Sequence, residues 1–177
     1  MIAFWRDAGP KRWFASDPEF DRLLTDRFGA THLAASRGEL HAWEDTPTGA
    51  LALLILTDQF SRNLYRGSAH AFATDAMARA VTGRALSHGF DQETDVMMRQ
   101  FFYLPFQHHE NVAAQARSLE LYARLTADGG DESGLIYAKI HADIITRFGR
   151  FPHRNAFVGR ESTEEEVEFL RLPGSGF

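Results

Sequence analysis

The sequence predicts an all-α fold, and three observations carry the expectation. Apolar residues recur three and four positions apart in segments bounded by capping residues or glycine. No segment of useful length alternates with period two, so strands are not indicated. The chain has 177 residues, 44% of them hydrophobic. One domain over residues 1–177 of this size buries about 70% of its extended surface and needs no metal or disulfide.

Residues 1–15 carry Trp5, Trp13 and Phe14 without periodicity and read as an arm packed on the body. Ser16 and Glu19 stand at capping-box spacing, with Pro18 near the first helical position. Phe20, Leu23, Leu24 and Phe28 make the stripe of that helix, and Gly29 is expected to end it. Short helices are expected over His32–Ser36 and Leu40–Trp43. Thr46-Pro47 opens the next helix. Its Ala50–Leu56 run is apolar all round and therefore central and buried. The run turns polar at Asp58, Gln59, Arg62, Asn63 and Arg66, and stops at Gly67. Ser68 caps a following helix to about His88, with Phe72, Met77, Ala80, Val81 and Leu86 as its stripe.

A helix over Glu93–Tyr103 is broken by Pro105, leaving Gln107, His108, His109 and Glu110 at a junction. Asn111 caps a helix to about Ala127 with Leu119, Leu121, Tyr122 and Leu125 as apolar positions. After the loop Asp128–Asp131, Ser133 starts a helix with Tyr137, His141, Ile144, Ile145 and Phe148 on one face. Gly149 and Pro152 end it. The loop beyond holds Arg150, His153, Arg154 and Asn155, with Phe151 and Phe157 as core anchors. Ser162 and Glu165 form a capping box for the last helix, and the tail Leu172–Phe177 is expected to fray.

Composition excludes several functional classes. With no cysteine, the chain has no disulfide, thiolate ligand or cysteine nucleophile. The net charge of −5 argues against a nucleic-acid-binding face, which is normally basic. No apolar run approaches the roughly 20 residues of a membrane helix, and the N-terminus lacks a signal-peptide core. A cytoplasmic protein without a membrane partner is expected. No G-x-S-x-G elbow, G-x-x-x-x-G-K-[ST] loop or G-x-G-x-x-G is present, so no nucleotide cofactor is expected. No metal is expected either. HExxH and Glu-x-x-His are absent, and adjacent His108 and His109 on a helix would point about 100° apart.

DQFSRNLYRG (58–67), FFYLPFQHHE (101–110) and FGRFPHRNAFVGRESTEEE (148–166) together resemble a bacterial family known as a domain of unknown function. That family is grouped with the tetratricopeptide-like (TPR-like) all-helical proteins. The resemblance covers nearly the whole chain and implies a TPR-like α-α superhelical array of antiparallel helices. It implies no reaction and no catalytic residue. The 34-residue repeat pattern itself is absent.

The polar residues at helix ends form the candidate site. Ile144–Arg160 holds four arginines and no acid, inside an acidic protein. Arg62, Arg66, Arg150, His153, Arg154 and Asn155 are the expected ligand-binding set for a small anion, because a guanidinium fork matches carboxylate or phosphate oxygens. His109, Glu110 and His153 are the catalytic candidates, with Asp58 or Glu110 able to orient a histidine. His141, on an apolar face, reads as a core histidine. Two readings remain. One is an anion site, catalytic or not. The other is an interaction module for a peptide or protein partner, with Asp58–Arg62 and Glu110–Arg150 or Glu110–Arg154 as structural pairs. A closed pocket at Arg150 and His153 favours the first. An open apolar groove with those residues in ion pairs favours the second.

Overall fold

In a computed structural model describing residues 1–176, helices and turns account for the whole architecture, and no strand occurs among the described residues. The N-terminal arm folds as α1 (Ile2–Ala8) and α2 (Pro10–Trp13). Trp5 and Trp13 are fully buried and stack with ring centroids 6.3 Å apart. The Trp13 indole N–H donates to the Trp5 carbonyl at 2.6 Å. The arm thus completes the main core instead of lying on it.

The next helix, α3 (Pro18–Ser36), is longer than expected. Asp17, not Ser16, caps it, accepting from the Glu19 and Phe20 amides. A carboxylate is the stronger cap against the helix dipole, and Arg12 holds it in place. Gly29 does not end the helix. The buried stripe of Phe20 and Leu24 continues to His32 and Ala35, and Gly38 takes the left-handed turn instead. His32–Ser36 is therefore the last part of α3, and Leu23 lies on its exposed side.

A 3-10 turn over His41–Asp45 leads into α4 (Pro47–Leu54), capped by Thr46 as expected. Gly49 is required here, since a Cβ would stand 2.1 Å from the Trp43 carbonyl oxygen. The buried apolar run then enters a π turn, Ile55–Gln59, before α5 (Phe60–Leu64). Such turns interrupt α-helical register and recur at functional positions. This one carries Asp58 into the core at 1% exposure.

Ser68 caps a 3-10 turn, Ala69–Phe72, and α6 (Asp75–Ser87) follows. Its buried face is Ala78, Val81, Thr82 and Ala85, so Ala80 lies outside the core stripe. The expected Glu93–Tyr103 helix is shorter and split. Asp95 caps α7 (Val96–Arg99), Gln100–Phe102 is a 3-10 turn, and Pro105 sits in the first turn of α8 (Leu104–Gln107). Proline there needs no donor, so it starts a helix instead of breaking one.

Asn111 caps α9 (Val112–Ala127), and Asp131 caps α10 (Glu132–Phe148). These two helices make the most extensive helix pair. Gly149 adopts the left-handed C-cap at φ 68°. His141, Ile144 and Ile145 are buried as expected, whereas Tyr137 is half exposed. Phe151 anchors a second small core with Ile144 and Ile145, and Phe157 does not.

The last helix, α11 (Glu164–Leu170), has its capping box at Thr163 and Glu166, one residue later than expected. Ser162 is engaged elsewhere, accepting from Asn155 Nδ2 at 3.0 Å. In the tail, Ser175 donates to the Leu170 carbonyl and is nearly buried, so 172–176 fold back as turns. Phe177 lies outside the described residues.

Candidate functional site

The densest buried polar network forms where the π turn, α5, the start of α6, the end of α8 and the 3-10 turn Pro152–Arg154 meet. Arg62 makes a bidentate pair with Asp75, at 3.0 and 3.1 Å, and also donates to the Asp58 backbone carbonyl at 2.9 Å. Its guanidinium lies 3.5 Å from the Asp58 carboxylate. Arg154 enters from the other side, 3.5 Å from Asp75, and donates to the His108 carbonyl at 2.9 Å. The Arg154 guanidinium is held between Phe72 and Phe151, 4.5 and 4.7 Å from their ring centres. Burial, then Arg62, pushes its pKa down to about 10, so it stays cationic at neutral pH.

His108 meets Asp58 at 2.7 Å through Nδ1. Burial pushes the Asp58 carboxyl up, but Arg62 and His108 together outweigh it and leave the pKa lowered. Burial, then Arg62, lowers the pKa of His108, against the pull of Asp58. An ionised Asp58 beside a neutral His108 fixes the tautomer: Nδ1–H donates, and Nε2 keeps its lone pair. Among the described residues, Nε2 of His108 makes no hydrogen bond and is not sealed from solvent. The junction is pinned by Gln115 of α9, whose amide donates to the Gln107 and His109 carbonyls at 2.8 and 2.7 Å.

The expected site residues separate into groups. Arg62, Arg154 and His108 share the network, and His141 and His153 stand near it across Phe151. His141 donates from Nδ1 to the Tyr137 carbonyl and is 3% exposed, a core histidine. Burial lowers its pKa to about 3, and burial lowers that of His153 to about 4. Glu110 accepts from the Phe151 amide at 2.8 Å and pairs bidentately with Arg160, not with Arg150 or Arg154. Arg150 pairs instead with buried Glu166, which also accepts from Asn155. Arg66 is drawn away to Asp21 and the Ala15 carbonyl. Arg147 meets Glu165. The acids just past the acid-free run thus turn back on it, and all four of its arginines have a carboxylate partner.

One cation was missed in the sequence. Arg79 stands one turn beyond Asp75 on α6, but both Asp75 oxygens face Arg62. Among the described residues Arg79 has no hydrogen bond or ion pair. It lies close enough to His109 to be the second cause, after burial, of that imidazole's lowered pKa. Mid-helix position gave it no signal. The i, i+4 spacing from Asp75 reads as an ordinary surface pair.

No three His, Asp or Glu side chains converge as metal ligands among the described residues. Two clefts lie apart from the network. One, of about 390 Å³, opens beside Tyr103 and α9; the other, of about 540 Å³, is lined mostly by apolar residues around Ile2 and Trp43.

A comparison with curated proteins finds no match. A solved structure titled as a protein of unknown function, ATU0120 from Agrobacterium tumefaciens, superposes with a TM-score of 0.91. It is 45% identical, over 96% of this chain and 94% of that one. The model of a bacterial family of unknown function, DUF924, matches residues 1–174. That span is nearly the whole sequence, and the chain belongs to the DUF924 family.

Proposed function

We propose that the protein binds a small anionic molecule at the Arg79–His109 edge of the network, with His108 accepting a proton from it or from a water beside it. Arg79 carries the reading. The acids Asp58, Asp75 and Glu110 are matched by Arg62, Arg154 and Arg160, so Arg79 is the charge left over. A phosphate or carboxylate oxygen suits its donor fork. His108 supplies an oriented lone pair, because Asp58 holds the opposite ring nitrogen. In this reading Arg62, Arg154, Glu110 and the neutral His153 shape the polar wall behind the ligand, and His109 touches it. Arg66, Arg150 and Asn155 hold the structure.

Thermal shift with inorganic phosphate and small carboxylates tests the proposal. A ligand at 100 times its dissociation constant stabilises by about 2.7 kcal/mol. Arg79→Ala is expected to abolish the shift while the protein stays folded, since its guanidinium makes no hydrogen bond or ion pair among the described residues. Binding should tighten as pH falls from 8 to 6. An anion favours protonated His109, whose pKa burial and Arg79 hold down in the free protein. No stabilising anion at either pH, or an unchanged response in Arg79→Ala, would remove the proposal.

The helical hairpin of α9 and α10, joined by the loop 128–131, supports the TPR-like reading of the architecture. A second functional reading has its own observation. Ile136, Tyr137 and Ile140 of α10 are 54, 51 and 37% exposed on one face, which suits a peptide or protein partner. A partner that still binds Ile140→Glu with full affinity would count against that face.

A further inference from the structure

We infer that the cleft beside α9 is a second binding site, for a small zwitterion carrying a primary ammonium and a carboxylate on an apolar body. The carrying observation is Asp91. Its carboxylate is 6% exposed, and its partners are neutral donors only: the Tyr103 hydroxyl at 2.8 Å and the Gln92 amide at 2.7 Å. Both donate to Oδ2. Oδ1 has no partner among the described residues, yet it is not sealed, and the residue lines the cleft. A buried carboxylate normally pairs with a cation, because desolvated charge is costly alone. Among the described residues no cation pairs with Asp91.

The other walls complete the ligand's description. Arg117, Leu121 and Arg124 project from one face of α9 into the same cleft, at i, i+4 and i+7, and Leu86 faces it from α6. Both arginines share one acid, Glu120, at 2.6 and 3.3 Å, and Asp128, also on the cleft wall, is taken by Arg99 at 2.7 Å, so the rim keeps one guanidinium more than its carboxylates. The cleft therefore offers a buried acceptor at its floor, leucine walls and surplus cation at its rim. A volume of about 390 Å³ holds an amino acid comfortably. An ammonium on Asp91 Oδ1 and a carboxylate near Arg117 and Arg124 satisfy both ends at once. This site shares no residue with the Arg79 edge, and its occupation does not depend on the anion proposal.

Isothermal titration of the whole chain with leucine, 6-aminohexanoate, hexylamine and hexanoate tests the inference. At least one zwitterion should bind, hexylamine more weakly, and hexanoate not detectably. Asp91→Asn keeps the shape and removes the charge. It should weaken zwitterion binding by roughly tenfold to a hundredfold, the worth of a charge-assisted hydrogen bond. Arg117→Gln/Arg124→Gln should erase the preference for the zwitterion over hexylamine. Should Asp91→Asn not fold, this double variant decides alone. Arg79→Ala should bind like the wild type. The inference is overturned if neither zwitterion binds at millimolar concentration. It is equally overturned if hexanoate binds as well as they do, or if the charge-removing variants bind unchanged.

Discussion

Replacing Arg62 with alanine is expected to cost about 3–5 kcal/mol of stability, the loss typical when a buried ion pair is broken from one side. Arg62 faces two carboxylates, Asp75 through a bidentate pair and Asp58 at 3.5 Å. Both are nine-tenths or more buried, and its removal leaves Arg154 and His108 to hold them. Urea unfolding read by circular dichroism measures the effect. Adding Asp75→Asn to Arg62→Ala should recover part of the loss, since the stranded charge is then gone. A loss under about 1 kcal/mol would mean that water reaches these acids freely.

Acid is expected to unfold the protein from a higher pH than carboxylate titration alone would explain. Burial holds His141 neutral down to about pH 3, and His153 down to about pH 4. An unfolded histidine titrates near 6.5. Because the folded pKa is depressed, the stabilisation is fully present above pH 6.5 and is lost as pH falls toward the folded values. For His141 the gap between 6.5 and about 3 corresponds to on the order of 5 kcal/mol at neutral pH. Urea midpoints at pH 7.5, 6, 5 and 4 should fall steadily. His141→Gln, which keeps a donor for the Tyr137 carbonyl and cannot titrate, should flatten that fall. Equal midpoints at pH 7.5 and 5, or an identical slope in the variant, would contradict it.

The helical class was readable because the longer helices advertise themselves locally, whereas α1, α2 and α8 carried no such signal. Thr46-Pro47, Asn111 and Gly149 did the work their residue types suggest. Where boundaries moved, a neighbour from elsewhere in the chain had decided. Gly29 is passed over because His32 and Ala35 extend a stripe that is buried against the core. The last capping box moved because Asn155 engages Ser162 and Glu166 binds Arg150.

The candidate site was legible only in outline. Arg62, Arg154, Glu110 and His153 were named from helix-end position, and they do lie in or beside one network. Pairing was not legible, because the choice among partners is made in three dimensions. Glu110 took Arg160, fifty positions away, and Glu166 took Arg150. The same logic hid Arg79, whose sequence neighbour Asp75 is engaged by an arginine from another helix. Arg154 is too buried for Arg154→Ala to separate binding from folding, whereas among the described residues Arg79 has no hydrogen bond or ion pair.

The most direct test of the proposed anion site is a ¹⁵N-detected histidine NMR titration with inorganic phosphate. At pH 7 the free protein should show His108 as the neutral Nδ1–H form, with an unprotonated Nε2 held opposite Asp58. Adding phosphate should shift the His108 Nε2 and His109 ring signals together and saturably, and Arg79→Ala should leave both unmoved. A His108 already protonated in the free protein, or ring signals indifferent to phosphate, would contradict the account.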